Sequence, residues 1–333
     1  MQKKDIGLAL LVLVVGAIVA LINPRFLSPI NLANTANLIG LFGLFSVAEA
    51  FVIVTAGIEL SVGSVIALLG VVFVDFIVNQ GVPWPLAIVI VLMFGAVFGV
   101  THGLLITRLK LQPFIVTLCG LLIYRGIARF YTADGTAGFS FGDKFPWLEW
   151  LVSGRTWAVP HSIIAFGIIA VIAWFVLHRT VFGRHLFAVG KNEEAARYSG
   201  INTQRIIILA YVICAVLTAL SAIFFAMYTR SVQPSSHGNF YELYGIAAAV
   251  LGGFSLRGGE GSIVGVVLGV ILLQVLQNLV NLLGIPSSLN FAVMGSVILA
   301  GVIADTQFAR YRNAKRQAVA LAELKRPATE VAL

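Results

Sequence analysis

Charged residues are scarce in this sequence, and their scarcity excludes most classes of soluble protein. Only 11% of the 333 residues are Asp, Glu, Lys or Arg, whereas 59% are hydrophobic. A soluble domain carries about 25% charged residues, because polar side chains have to cover much of its surface. Most of these apolar side chains must therefore face lipid, and the composition predicts an integral membrane protein.

The sequence also lacks the residue clusters on which catalysis and metal binding depend. Its two cysteines, Cys119 and Cys214, lie inside apolar stretches, which predicts buried thiols and neither a disulfide nor a metal site. The spacing from Gly183 to Lys191 is too long for a phosphate-binding loop, and Asn192 stands where such a loop needs Ser or Thr. We expect a protein that is not an enzyme and that holds no metal or cofactor.

Long apolar segments are abundant, and they predict the fold class. Each reaches, or nearly reaches, the roughly 20 residues that a helix needs to cross a bilayer. Their hydrophobicity is continuous and does not alternate, which favours helices over the strands of a barrel. The fold class is therefore predicted to be an all-α integral membrane protein with about ten spans, forming one transmembrane domain over 1–308 and a basic tail over 309–333. The segments are 6–22, 38–56, 62–79, 86–106, 113–132, 160–178, 206–228, 241–253, 262–283 and 288–305.

The eighth segment is the weakest of the ten. It is short and ends in Gly252-Gly253, so it could be a broken or re-entrant helix that does not cross the bilayer.

The distribution of Lys and Arg predicts the orientation. If the N-terminus is cytoplasmic, sixteen of these residues fall in inside connections and the tail, and four fall in outside connections. The positive-inside rule then places both termini in the cytoplasm.

The segment 179–205 is the longest inside connection, and it carries a helix signature. Asn192 is a good N-cap, Glu193 and Glu194 suit the positive end of the helix dipole, and Gly200 suits the position after its last turn. A short capped helix with small residues on one face is suited to docking against a cytoplasmic partner. Taken on composition alone, a simple connector explains the segment equally well.

Glycine spacing predicts close helix packing on two spans. Glycines recur every four residues on the fourth and the ninth segments, which lets neighbouring backbones approach each other in lipid. The two rows are Gly95, Gly99, Gly103 and Gly261, Gly265, Gly269.

The ninth segment carries a polar stripe opposite its glycines. At 100° per residue, four carboxamides fall in one sector, and they are too costly to expose to lipid. Such a stripe offers uncharged donors and acceptors, which suits a neutral polyhydroxylated solute; hydrogen bonding between helices is an equally good explanation. The stripe consists of Gln274, Gln277, Asn278 and Asn281.

Few charges lie inside the predicted spans, and each requires an explanation. Glu49 and Arg125 lie at depths that differ by about 6 Å at 1.5 Å rise per residue, which predicts that they pair. A proton relay is the less favoured alternative for these residues.

The motifs resemble one family, the membrane-spanning permease subunits of ribose-type ABC sugar importers. The segment 57–64, Gly-Ile-Glu-Leu-Ser-Val-Gly-Ser, is similar to the family's Gly-Ile-Asp-Leu-Ser-Val-Gly-Ser. The segment 112–118 with Arg125-Gly126, the loop 190–201 and the stretch 251–284 match further signatures in order along nearly the whole chain. Glu49 and Tyr244 depart from the residues common in the family, which weakens any assignment to ribose itself.

The resemblance implies a subunit of the bacterial inner membrane that carries a sugar or polyol and works with three partners. These are a cytoplasmic ATPase that hydrolyses ATP, a periplasmic sugar-binding protein and a second permease subunit. In this family the loop after the sixth span carries the coupling helix, so ATPase coupling falls on Gly190, Asn192, Glu193, Ala195, Ala196, Arg197 and Gly200. Candidates for the translocation path are Glu49, Glu59, Ser61, Arg125, Gln274, Gln277, Asn278 and Asn281. The alternative function is an ion-coupled secondary sugar carrier.

Overall fold

A computed structural model of the chain describes residues 3–140 and 142–286, together with positions 289, 292, 293, 295, 296, 299 and 303. The chain divides into two compact units, Met1–Ile285 and Pro286–Leu333. The predicted tenth span and the predicted tail lie outside the described residues, apart from those isolated positions.

The first unit is built from helices, as predicted. Nine of them coincide with the first nine predicted spans: α1 Lys3–Ile22, α2 Pro29–Ile53, α3 Val62–Val78, α4 Trp84–Thr107, α5 Pro113–Tyr131, α7 His161–Arg179, α10 Thr203–Thr229, α11 Tyr241–Leu251 and α12 Ile263–Leu282. Among the described residues, seven of these are long and apolar enough to cross a membrane. The two shorter ones are α3 and α11, with 17 and 11 residues. At 1.5 Å per residue, α11 spans about 16 Å and cannot cross a hydrocarbon core of about 30 Å by itself.

The remaining elements lie between the long helices. Three short helices are α6 Pro146–Ser153, α8 Val181–Lys191 and α9 Glu193–Tyr198. Strand β1 Ala137–Gly138 pairs antiparallel with β4 Ser231–Val232, and β2 Arg155–Thr156 pairs with β3 Val159–Pro160.

Polar caps fix where several helices begin. Ser28 precedes Pro29 at the start of α2, and its hydroxyl accepts a hydrogen bond from Asn31 N at 3.3 Å. Asn202 caps α10 and Ser262 caps α12 in the same way. Each cap satisfies a backbone donor that has no partner within the helix.

Hydrogen bonds tie several connections between helices into two groups. In one group, the β1–β4 pair joins the segment after α5 to the segment after α10, and Arg155 donates to Asn34 at the start of α2. In the other group, Gly259 N donates to Val54 O at 2.8 Å, which joins the end of α2 to the α11–α12 connection. That these two groups lie on opposite sides of the membrane, and which of them is cytoplasmic, stays a prediction.

Two irregular connections meet inside the unit, one before α3 and one before α11. The closest approach lies between Gly63 and Gly238, where a Cβ placed on Gly63 would lie 2.0 Å from the carbonyl oxygen of Gly238. Non-helical backbone at membrane depth is tolerated where it is buried in protein or lines a cavity. These two segments, 54–61 and 230–240, are therefore the places where the bundle departs from simple spans.

The first glycine row packs helices together as predicted, and so do Gly265 and Gly269 of the second row, whereas Gly261 lies before α12 and meets the Phe254 ring. A Cβ on Gly99 would lie 2.5 Å from Val212 Cα, so α4 presses directly against the backbone of α10. A Cβ on Gly269 would lie 2.3 Å from Ala248 O, so α12 packs in the same way against α11. Helix α10 also contacts α2 and α3 and forms the centre of the unit.

Candidate functional site

Helix α9 has the local structure that the sequence predicts. The Asn192 side chain accepts a hydrogen bond from Ala195 N at 2.9 Å and caps the helix. Gly200 adopts a φ of +85°, the left-handed conformation that follows a helix end. Ala196 is the buried residue of the helix, while Asn192, Glu193 and Arg197 are exposed. The helix therefore presents most of its surface outward.

Three glycines hold the end of α8, immediately before α9, against the rest of the bundle. A Cβ on Gly190 would lie 1.8 Å from Val54 O and 2.6 Å from Gly259 N. A Cβ on Gly258 would lie 2.7 Å from Ala56 N. The end of α8, the end of α2 and the α11–α12 connection are therefore in direct backbone contact. We call Gly190, Gly258 and Gly259 the glycine seat.

A cleft of about 840 Å³ opens beside α9. The exposed carboxylates of Glu193 and Glu194 and the guanidinium of Arg197 line its mouth, and Gly57 and Tyr211 lie among its deeper residues. Tyr211 Oη donates to Ile58 O at 3.3 Å. The inner end of the cleft therefore lies against the irregular segment 54–61.

A buried polar network lies at that inner end, centred on Glu59. One carboxylate oxygen accepts from the backbone N–H of Ser61 at 2.7 Å and from its hydroxyl at 2.6 Å. The other lies 2.8 Å from His102 Nδ1, and His102 Nε2 lies 3.0 Å from Tyr124 Oη. Because Glu59 is 5% exposed and every contact is short, the network ties the start of α3 to α4 and α5.

The predicted pair between Glu49 and Arg125 is wrong. Arg125 Nη1 donates to the carbonyl oxygens of Pro234 and His237 at 2.8 and 2.7 Å. Those carbonyls belong to the irregular segment 230–240, whose backbone lacks the internal partners that a helix provides. The guanidinium of Arg125 is therefore hydrogen-bonded to backbone, and the acid that interacts with it electrostatically is Glu242.

Glu49 is instead an unpartnered acid in the core. It is 0% exposed, and neither carboxylate oxygen has a hydrogen-bond partner among the described residues. It lies against α11, because a Cβ on Gly245 would approach its Cγ to 2.9 Å. The acids that interact electrostatically with Glu49 are Glu59 and Glu242.

The amide stripe of α12 divides into residues with and without partners. Asn278 exchanges two hydrogen bonds with Asn31 of α2, at 3.0 and 2.8 Å. Gln274 is 2% exposed, and its Oε1 and that of Gln277 are buried with no partner among the described residues. Asn281 is exposed. Helix–helix hydrogen bonding thus explains Asn278, and the two glutamines retain unused acceptors.

Four residues that complete these contacts were not among the site residues predicted from the sequence. They are Asn31, His102, Tyr124 and Glu242. A Cβ placed on Gly63 would lie 2.7 Å from Glu242 Oε2, which places this acid beside the N-terminus of α3. A single His or Tyr inside an apolar helix gives no local signal of its partner. Glu242 had a signal that could have been used, because an acid at the first turn of the short α11 is costly without a donor.

Comparison with known proteins reveals that about nine-tenths of the chain is similar to sugar permeases. The family model described as branched-chain amino acid transport system / permease component matches residues 31–302. The ribose import permease protein of Escherichia coli strain K12 is 38% identical over 92% of this chain and 94% of its own length. The ribose import permease protein of Bacillus subtilis strain 168 is 40% identical over 92% of this chain and 93% of its own length. The fructose import permease protein of Rhizobium meliloti is 30% identical over 90% and 84%. No solved structure matches the chain.

Proposed function

This chain belongs to the permease family that includes the ribose import permeases, and from that premise we propose that it carries a sugar or related polyol through the membrane as a subunit of an ATP-binding-cassette importer. The observation that carries the proposal is similarity over almost the entire length of permeases named for ribose, fructose, galactofuranose and D-allose. Because these relatives are named for four different sugars, the proposed substrate class is a monosaccharide or polyol and not one particular sugar.

The permease works in the bacterial inner membrane with three partners. A cytoplasmic ATPase hydrolyses ATP, a periplasmic sugar-binding protein delivers the substrate, and a second permease subunit completes the path. The permease itself needs no cofactor, since its task is to change shape and the energy comes from the partner. Both termini lie on the cytoplasmic side, together with the glycine seat and α9.

Helix α9 receives the movement of the ATPase. Its exposed surface is available for docking, and the end of α8 immediately before it is buried at Gly190, which meets the backbone of Val54 and Gly259 without any intervening side chain. A push on α9 therefore reaches Val54 at the end of α2 and the α11–α12 connection at once. Rigid elements in direct backbone contact transmit such displacement with little loss. The residues that perform this coupling are Gly190, Asn192, Glu193, Ala195, Ala196, Arg197 and Gly200.

The polar residues inside the bundle line or support the translocation path. Glu49, Gln274 and Gln277 offer free acceptors, whereas Glu59, Ser61, Arg125 and Asn278 hold the surrounding segments in place. Asn281, which is exposed, completes the set at the end of α12.

The decisive experiment is sugar uptake into proteoliposomes that contain the permease, its ATPase and loaded binding protein. We expect uptake that requires ATP and both partners. Uptake by the permease alone, driven by a proton or sodium gradient without ATP, would establish the ion-coupled carrier and refute the proposal.

The coupling role of α9 has its own test. Arg197→Ala should reduce ATP-driven uptake at least about tenfold, because a buried charged contact at a docking surface is worth about 2 kcal/mol or more. Arg205→Ala is the matched control, since Arg205 is exposed in the same connection but lies outside α9. Equal uptake by the two variants would remove Arg197 from the docking surface.

A further inference from the structure

The eight side chains predicted to form the path differ in one measurable property, which is whether they have hydrogen-bonding capacity to spare. Glu59 accepts three hydrogen-bond contacts, and Ser61 and Arg125 are engaged as described above. Asn278 is paired with Asn31, and Asn281 is exposed. Buried acceptors without a partner remain on Glu49, Gln274 and Gln277.

A buried acceptor without a donor is costly, so each of these oxygens calls for a missing group. The two amide oxygens can only accept, and at least one oxygen of the Glu49 carboxyl accepts, so the missing group must donate. Glu49 lies on α2 and the two glutamines on α12, which are helices that pack against each other and against α11. Glu49 lies against Gly245 of α11, and Gln274 borders a void between α2, α11 and α12, so these two acceptors lie where α2 meets α11 and α12.

Aromatic side chains lie along the same contact. The Phe42 and Tyr244 rings are 5.3 Å apart, and the Phe45 and Tyr241 rings stack at 5.6 Å. Phe42, Tyr244 and Gln274 border one small void between α2, α11 and α12, and this void has no room even for a water molecule. The contact is therefore closed in this structure and could admit a solute only when α11 or α12 separates from α2.

We propose that the contact of α2 with α11 and α12 is a transient sugar-binding site, in which Glu49 and Gln274 accept hydrogen bonds from sugar hydroxyls and Phe42 and Tyr244 contact the apolar face of the ring. The proposal rests on the proposed function and locates the substrate within it. A few placed polar groups among aromatic walls are the usual composition of a small-molecule site. Among the described residues no group of three or more His, Cys, Asp or Glu could hold a metal ion, so a neutral hydroxylated ligand fits better than a metal cation.

The proposal also explains the packing of α11. Gly245 leaves room for Glu49 beside α11, and the neighbours that a Cβ there would meet are the side chains of Glu49 and Phe45. Side chains can rotate away, whereas backbone cannot. The contact can therefore open without moving the backbone of α2.

The test uses the complete transporter in proteoliposomes with loaded binding protein and compares uptake of ribose, allose, fructose and a polyol. Glu49→Gln and Gln274→Met keep the size of each side chain but change its hydrogen bonding. We expect each to lower uptake about three- to tenfold for at least one sugar and to change the ranking among sugars, since one lost hydrogen bond corresponds to that range. ATPase activity of the complex should stay within about twofold of wild type, since these residues lie away from α9.

Thr218→Val is the matched control, because Thr218 is equally buried on α10 but donates within its own helix to Cys214 O at 2.8 Å. Its uptake and sugar ranking should equal those of wild type. Unchanged ranking and rate in both Glu49→Gln and Gln274→Met would overturn the binding site while leaving the importer intact. Absence of ATP-dependent uptake in wild type would instead refute the proposed function, so the two failures are distinguishable.

Discussion

Two buried regions of this bundle differ in whether their polar side chains have hydrogen-bond partners. Around α4, the contacts with α3, α5 and α10 combine glycine-to-backbone packing with a fully partnered network on Glu59 and His102. Where α2 meets α11 and α12, aromatic rings and two of the unpartnered side chains, Glu49 and Gln274, fill the contact.

The difference indicates which region is rigid and which can rearrange. Backbone in direct contact has one packing, and separating a partnered carboxylate from its donors is expensive. Aromatic rings and unpartnered carboxyl and amide groups lose less when they part, and the unpartnered groups gain partners when a hydroxylated solute enters. The α4 region is therefore the scaffold, and the α2–α11–α12 contact is the part that opens.

The largest expected effect comes from breaking the network of the scaffold. His102→Leu leaves one oxygen of Glu59 buried without its partner, which should cost about 3 kcal/mol of unfolding free energy. The melting temperature in detergent measures this effect. Thr101→Val is the control, because the neighbouring hydroxyl is exposed and donates to Val97 O within its own helix. Equal melting temperatures for the two variants would mean that the network does not stabilise the scaffold.

Much of this fold was accessible from the sequence, because continuous apolar segments report the bilayer directly. Nine predicted spans coincide with helices, and the bounds agree closely for α3 and α7. The start of α2 was missed by nine residues, 29 instead of 38. Its first turns carry polar residues such as Asn31 and Asn34, which resemble a loop by composition, and the cap at Ser28 was the signal that could have corrected the boundary.

The site was less predictable, because pairing in the core depends on the rotation of each helix as well as on depth. The predicted Glu49–Arg125 pair used depth alone. Arg125 faces the segment 230–240, and Glu49 faces Gly245 on α11. Likewise Glu59 and His102 are 43 positions apart, and no local pattern relates them. The capped helix α9 was predictable in detail, since every feature of it lies within ten residues.

A smaller difference in stability should distinguish Gly→Ala substitutions in the two regions. In the scaffold, Gly99→Ala places a Cβ against the backbone of α10 and should cost about 2 kcal/mol. At the opening contact, Gly245→Ala meets side chains, so its cost should be about half as large. Gly126→Ala is the control, because no atom lies within 4 Å of its added Cβ. Unfolding in detergent ranks the three, and a Gly245→Ala variant less stable than Gly99→Ala would reverse the assignment of rigid and movable regions.

The smallest effect concerns the one direct hydrogen-bonded link found across the α2–α12 contact, between Asn31 and Asn278. Interhelical hydrogen bonds in membranes contribute about 0.6 kcal/mol on average, because the separated helices find other partners. A double-mutant cycle with Asn31→Leu and Asn278→Leu should therefore give a coupling energy of about that size. A weak link is what a contact that opens during each transport cycle requires. A coupling energy above about 2 kcal/mol would exceed the range found for such bonds. It would make this contact as permanent as the α4 scaffold and would exclude it as the place where the sugar enters.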